Sequence, residues 1–299
     1  MKTKSMKKVL KKSKGAEKTD RSHVRSRIPQ EKAKQSSEIS QPEKNIQPLA
    51  ALIFITGESP MVEQYAEICA GHGYHVCVSW NETPAKKPEF LSSNITISGT
   101  MPARTSVAIE LTNIDLTIKR KNLTKFDSTL PETAPILSSS VTVSATEQSS
   151  WISGKHRLVG IATLPSFIER PLVEVAPTIY SPKETIEVVS KFFSALGKDI
   201  EIVQDRIGMV MPRIVCQVIN EAAFAITEDI ATPQDIDKAL KLGARFPLGP
   251  IEWAERIGLK QVHAVLTALY ADLQEERYRI APLLKQMAIT DVWWTHETP

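Results

Sequence analysis

The chain has 299 residues, 42% apolar and 24% charged, a globular balance that excludes a wholly disordered, collagen-like or disulfide-dense protein. Its net charge of +3 is uneven: residues 1–48 carry 14 Lys/Arg against 5 Asp/Glu, net +9, and the remainder is net −6. The basicity belongs to a tail, which argues against nucleic acid as a partner except through that tail.

Residues 1–48 hold almost no apolar side chains and no aromatic ones, so burial cannot offset chain entropy and disorder is predicted. The plain reading is a solvated extension. The sharper one is a polybasic anchor for RNA, an acidic membrane surface or an acidic protein. Glu17, Asp20, Glu31 and Glu38 set the tail apart from an organelle transit peptide. The longest apolar run, Leu49–Thr56, is far shorter than the ~20 residues of a membrane helix, and no signal-peptide core is present. The chain therefore reads as cytoplasmic, with no membrane span. Cys69, Cys77 and Cys216 form no CxxC pair and read as buried packing residues in a reducing compartment. His72, His75 and Cys77 lack a fourth ligand at metal spacing, so no metal is expected.

Residues 49–203 read as an α/β domain. LAALIFIT, residues 49–56, is a continuous apolar run ending at Gly57, the pattern of a strand buried on both faces of a parallel sheet. Met61–Gly71 reads as a helix and Tyr74–Val78 as the next strand. Strand, glycine turn, helix, strand is the opening of a doubly wound, Rossmann-like fold. Further strands are predicted at Ser106–Leu111, Ile136–Ser138, Leu158–Ala162 and Leu172–Ala176, and a helix at Thr185–Leu196.

Dinucleotide binding after the first strand wants G-x-G-x-x-G, whose glycines let backbone meet pyrophosphate and helix meet strand. Here the segment is Gly57-Glu58-Ser59-Pro60-Met61-Val62. Ser59 adds a Cβ at the phosphate approach and Pro60 removes an N–H donor. At about 6 Å and an effective dielectric near 20, Glu58 would repel a phosphate by roughly 2–3 kcal/mol. The acid expected at the end of the second strand is replaced by Trp80 or Asn81. Arg104 and Lys86-Lys87 are candidate phosphate contacts, although lysines in a Pro-rich loop are ordinarily just solvated.

Residues 204–299 read as a helical domain. Ile214, Val218, Ala222 and Ile226, with Val215, Ile219 and Ala223 beside them, make a wide apolar stripe on a long helix. Thr232-Pro233 starts a helix that stops at Gly243, Pro250 opens another through Arg256, and Val262–Leu273 forms the last strong one.

The blocks Asn220-Glu-Ala222, Ala231-Thr-Pro-Gln-Asp-Ile-Asp237, Lys241-Leu-Gly243, Phe246-Pro-Leu-Gly-Pro250 and Arg277-Tyr-Arg279 resemble the C-terminal domain of the 3-hydroxyacyl-CoA dehydrogenases. Ile109-Glu110, Ile118-Lys-Arg120, Leu137-Ser-Ser-Ser140 and Leu172-Val-Glu-Val175 resemble that family's NAD-binding domain, and Ala195-Leu-Gly-Lys198 with Asp205, Gly208 and Arg213 resembles its interdomain junction. The resemblance implies NAD as cofactor, with Gly57, Ser59 and Glu110 as contacts, an acyl-CoA substrate, and dimerisation through residues 204–299.

The family oxidises an L-3-hydroxyacyl-CoA, using a His base oriented by a glutamate, as chemistry near neutral pH requires. In this register the glutamate is Glu174 and the catalytic-loop hydroxyl is Thr142. The His position is Ala162 and the Asn position is Pro212. His156 lies six residues before Ala162, about 20 Å along a strand, at the wrong end. Only residues 82–107 stand where the family has a longer CoA-contacting arm. Three readings stay open: a non-catalytic relative that keeps the dimerising domain, an active but divergent dehydrogenase, and a related reaction that needs no His base. Ala162 and Pro212 favour the first.

Overall fold

The computed structural model describes residues 51–82, 84 and 88–290. The tail for which disorder is predicted, and Lys86-Lys87, lie outside the described residues.

One eight-stranded sheet, in the order β3-β2-β1-β4-β5-β6-β7-β8, forms the frame. Its strands are β1 (Leu52–Gly57), β2 (His75–Trp80), β3 (Ile95–Ile97), β4 (Val107–Leu111), β5 (Ile136–Ser139), β6 (Leu158–Ile161), β7 (Leu172–Pro177) and β8 (Asp199–Ile202). Between them run α1 (Met61–Gly71), α2 (Leu116–Thr129), α3 (Ala145–Ser149) and α4 (Lys183–Ala195). Strands β1 to β6 are parallel, and β1 lies between β2 and β4. The apolar run is explained by burial on both sides. Ile53 and Ile55 pack toward α1 and α4, while Phe54 packs edge-on against Phe126 of α2.

The strand at Leu172 is antiparallel to β6, with Gly160 opposite Ala176. The link from Ile161 to Leu172 is ten residues, too short for the crossover that a parallel neighbour needs. Two edge strands, β3 and β8, and the terminal helix α9 (Pro282–Thr290) add to the predicted elements. All three cysteines are buried, as predicted.

The helices α5 (Met211–Thr227), α6 (Pro233–Gly243), α7 (Pro250–Ile257) and α8 (Leu259–Leu273) follow. The stripe on α5 divides: Val215, Ile219, Ala222 and Ala223 face inward, whereas Ile214 is 53% exposed. The motif residues of this region tie helix to helix. Asp237 of α6 accepts from the N–H groups of Ile251 and Glu252 at 2.8 and 3.1 Å, so it caps α7. A Cβ on Gly249 would lie 2.1 Å from that carboxyl carbon, which is why glycine stands there. Asn220 donates to Arg279 O and accepts from Ala281 N, fixing the turn into α9.

The inner helix faces make one apolar core with Val141, Ala162, Leu164, Phe167 and Ala176 of the sheet region. Arg170 stacks 4.2 Å from the Trp253 ring centroid, and Phe167 meets the same ring edge-on. The helices are thereby sealed onto the ends of β6 and β7.

Candidate functional site

In an open α/β sheet, ligands settle at the carboxyl ends of the strands where strand order reverses. Here that point lies between β1 and β4. Gly57 ends β1 at φ +149°, and a Cβ on it would come within 2.5 Å of the Leu111 backbone. The next residue crosses the crevice. Glu58 Oε1 accepts from the N–H groups of Asn113 and Ile114 at 3.2 and 2.9 Å. Glu58 Oε2 accepts from Gln261 Nε2 of α8 at 2.6 Å. Burial is the largest influence on this carboxyl and pushes it above the usual carboxylate value, against those hydrogen bonds.

The rest of the turn is equally engaged. Glu58 N–H donates to Leu111 O. Ser59 Oγ and Trp80 Nε1 both donate to Glu63 Oε1, at 2.9 and 3.0 Å, and Trp80 stacks on Phe90. Val62, at the third glycine position, is buried between α1 and the sheet. A pyrophosphate would meet two carboxylates, a proline without an N–H and a donor already used. These residues do not fit a dinucleotide in the usual pose.

Glu110, at the end of β4, is fully buried and ion-paired with equally buried Lys119. Thr112, Asn122 and Ser138 also donate to it. Its acceptor capacity is spent within the protein.

Of the catalytic register, Thr142 Oγ1 donates to Asn113 O at 2.8 Å. Asn113 is the hub of this region. Its Nδ2 donates to Thr163 O at 3.1 Å and Gln261 Oε1 at 2.9 Å, and Ser139 Oγ donates to its Oδ1. Ala162 is 7% exposed within the apolar core. Pro212 sits in the first turn of α5 and is also buried. Glu174 Oε2 and Oε1 accept from Val210 N and Met211 N at 2.8 and 2.7 Å, so this carboxylate caps α5. Asp205 likewise accepts from the N–H groups of Ala145 and Thr146. His156 lies in the turn just before β6, at the far end from Ala162.

Three contributors were not among the predicted site residues: Asn113, Gln261 and His263. Asn113 was findable as a polar residue just beyond a predicted strand end. Gln261 and His263 carried no signal, because only the packing of α8 brings them to the sheet. A cleft of about 640 Å³ is lined by Asn113, Thr142, Glu147, His263, Thr267 and Asp272, among others. Burial, then the nearby Lys285 charge, holds His263 below its ordinary imidazole value.

The NAD-binding-domain model of the 3-hydroxyacyl-CoA dehydrogenases matches residues 83–206, and their C-terminal-domain model matches residues 208–292, together well over half of the chain. The chain belongs to the 3-hydroxyacyl-CoA dehydrogenase family. A 3-hydroxybutyryl-CoA dehydrogenase of Bradyrhizobium diazoefficiens is 30% identical over 56% of this chain and 57% of its own length. A second, from Clostridioides difficile, is 29% identical over 60% of this chain and 64% of its own. The chain thus aligns with less than two thirds of the length of these relatives. The solved (S)-3-hydroxybutyryl-CoA dehydrogenase of Ralstonia eutropha superposes with a TM-score of 0.67 at 26% identity, covering 81% of this chain and 94% of that one. In this 3-hydroxyacyl-CoA dehydrogenase family member the matched NAD-binding segment begins after β1, α1 and β2, so the Gly57 turn lies outside it.

Proposed function

We propose that this chain is a non-catalytic member of the 3-hydroxyacyl-CoA dehydrogenase family that acts as an assembly partner. One observation carries this reading. The glutamate in the His-orienting register, Glu174, commits both oxygens to the start of α5, while Ala162, in the His register, packs in an apolar core. Losing a general base costs about 100- to 10,000-fold in rate. The crossing of the crevice by Glu58 adds a second obstacle, to the cofactor.

The partner is a second copy, or a related chain, docking on the helical region from residue 204 onward. Ile214, Leu242 and Phe246 are exposed there, and α6 buries none of its residues although apolar side chains line one side of it. The division into a sheet domain at 49–203 and a helical domain at 204–299 is part of this reading.

Calorimetric titration with NADH, followed by acetoacetyl-CoA reduction at high enzyme concentration, tests it. No heat and no turnover is the expected result; turnover would overturn it. One observation favours the rival reading of an active, divergent dehydrogenase: His263 lines the same cleft as Thr142. Turnover abolished by His263→Ala would identify that imidazole as the replacement base. Acyl-CoA is the substrate class in that case.

A further inference from the structure

We propose that the crevice between β1 and β4 retains an anion-binding site and that Glu58 is its built-in occupant. This rests on the reading that the dinucleotide is not bound there, and deepens it by naming what the site still accepts. The donors are the Asn113 and Ile114 N–H groups and the Gln261 amide, converging from the end of β4 and from α8 on one carboxylate. Each has a fixed position. Asn113 is anchored through Thr163, Ser139 and Thr142. Gln261 is anchored through Asn113 Nδ2. The Thr117 and Ile118 N–H groups are taken by the Asp115 side chain, whereas those of Asn113 and Ile114 go to Glu58.

Three such donors match a group with two acceptor oxygens, one facing the main chain and the other the amide, and they offset only part of the cost of burying its charge. The ligand class is a small oxyanion, carboxylate or phosphate. An external anion enters only by displacing Glu58, and that breaks the tie from the crevice to α8. Occupancy by a ligand and loosening of α8 are therefore one event.

The test is Glu58→Ala, melted in sodium acetate, in sodium chloride at equal ionic strength, and in acetamide as the neutral analogue. Three donors lose a buried acceptor, so the melting temperature falls by about 4–10 °C in chloride. Acetate is expected to return at least half of that fall, acetamide none, and wild type to respond equally to acetate and chloride. Equal behaviour of the variant in all three solutes would overturn the proposal, as would an acetate shift of the same size in wild type. Inorganic phosphate in a fourth arm separates the two anion chemistries. If the variant does not fold in chloride, refolding from urea in acetate carries the test. Recovery in acetate alone supports the site, and failure in every solute refutes it. Wild-type inactivity toward NADH and acetoacetyl-CoA is measured separately, so either idea can fail without the other.

Discussion

Glu174 and Met211 are joined by a 2.7 Å hydrogen bond from the Met211 N–H to the Glu174 carboxylate, with Val210 bonded to the other oxygen. A strand carboxylate thus anchors the first turn of the 17-residue helix α5, whose own residues supply no side-chain cap. Glu174→Gln keeps one acceptor and loses the charge. Its expected cost is about 1 kcal/mol of stability, measured by urea denaturation, with no change in any turnover.

Placing an imidazole at residue 162 is expected to yield no activity. Ala162 touches a close-packed cluster that includes Val141, Leu164 and Met209. Ala162→His overpacks that core and buries ring nitrogens, at about 2–4 kcal/mol. Acetoacetyl-CoA reduction by Ala162→His, alone or with Pro212→Asn, should stay at background. Turnover above wild type would show that the site needed only its base.

The tie between Glu58 and Gln261 has a defined polarity, carboxylate to amide. Glu58→Gln sets two amide groups face to face and is expected to cost about 1–2 kcal/mol. The double variant Glu58→Gln/Gln261→Glu reverses the polarity and keeps every hydrogen bond of the trio with Asn113. A double-mutant cycle by urea denaturation should therefore recover most of the loss; additive losses would count against the tie.

The same carboxyl predicts a pH dependence. Burial raises its value in the folded state above the ordinary 4.5. The native protein thus holds this proton more tightly than the unfolded chain does. The contribution is fully present below pH 4.5 and declines as pH rises through the raised value. The stability gap between wild type and Glu58→Gln should narrow as pH climbs from 4.5 toward neutrality, read from denaturation midpoints across that range.

Glu110 and Lys119 form an ion pair with both side chains fully buried. Lys119→Met strands the carboxylate and is expected to cost about 3–5 kcal/mol. Glu110→Gln/Lys119→Met removes both charges and should cost less, which differential scanning calorimetry can resolve.

Much of this molecule was legible in residue patterns. The apolar run before Gly57 marked a two-face strand, and Thr232-Pro233 marked the start of α6, where Thr232 Oγ1 does accept from Asp235 N. The less legible parts have physical causes. β3 has three residues, and β8 alternates Asp199 and Glu201 with half-exposed isoleucines, so neither carries a strong hydrophobic signal. The direction of β7 depends on a loop length, not on composition. Ala162 and Pro212 rest on register alone, and the capping role of Glu174 could not be read at all, since its partners are main-chain N–H groups that no side-chain pattern announces. Glu58 looked like a liability toward phosphate. Only the position of α8 reveals that its charge has donors of its own.

Gly57 answers to the neighbouring strand, since any larger residue would drive into the Leu111 carbonyl carbon at 2.5 Å. A glycine counted as the relic of a nucleotide fingerprint is thus demanded by sheet geometry alone. Its presence therefore says nothing about whether a coenzyme binds: a sheet of this register would require the same residue if it never met a nucleotide.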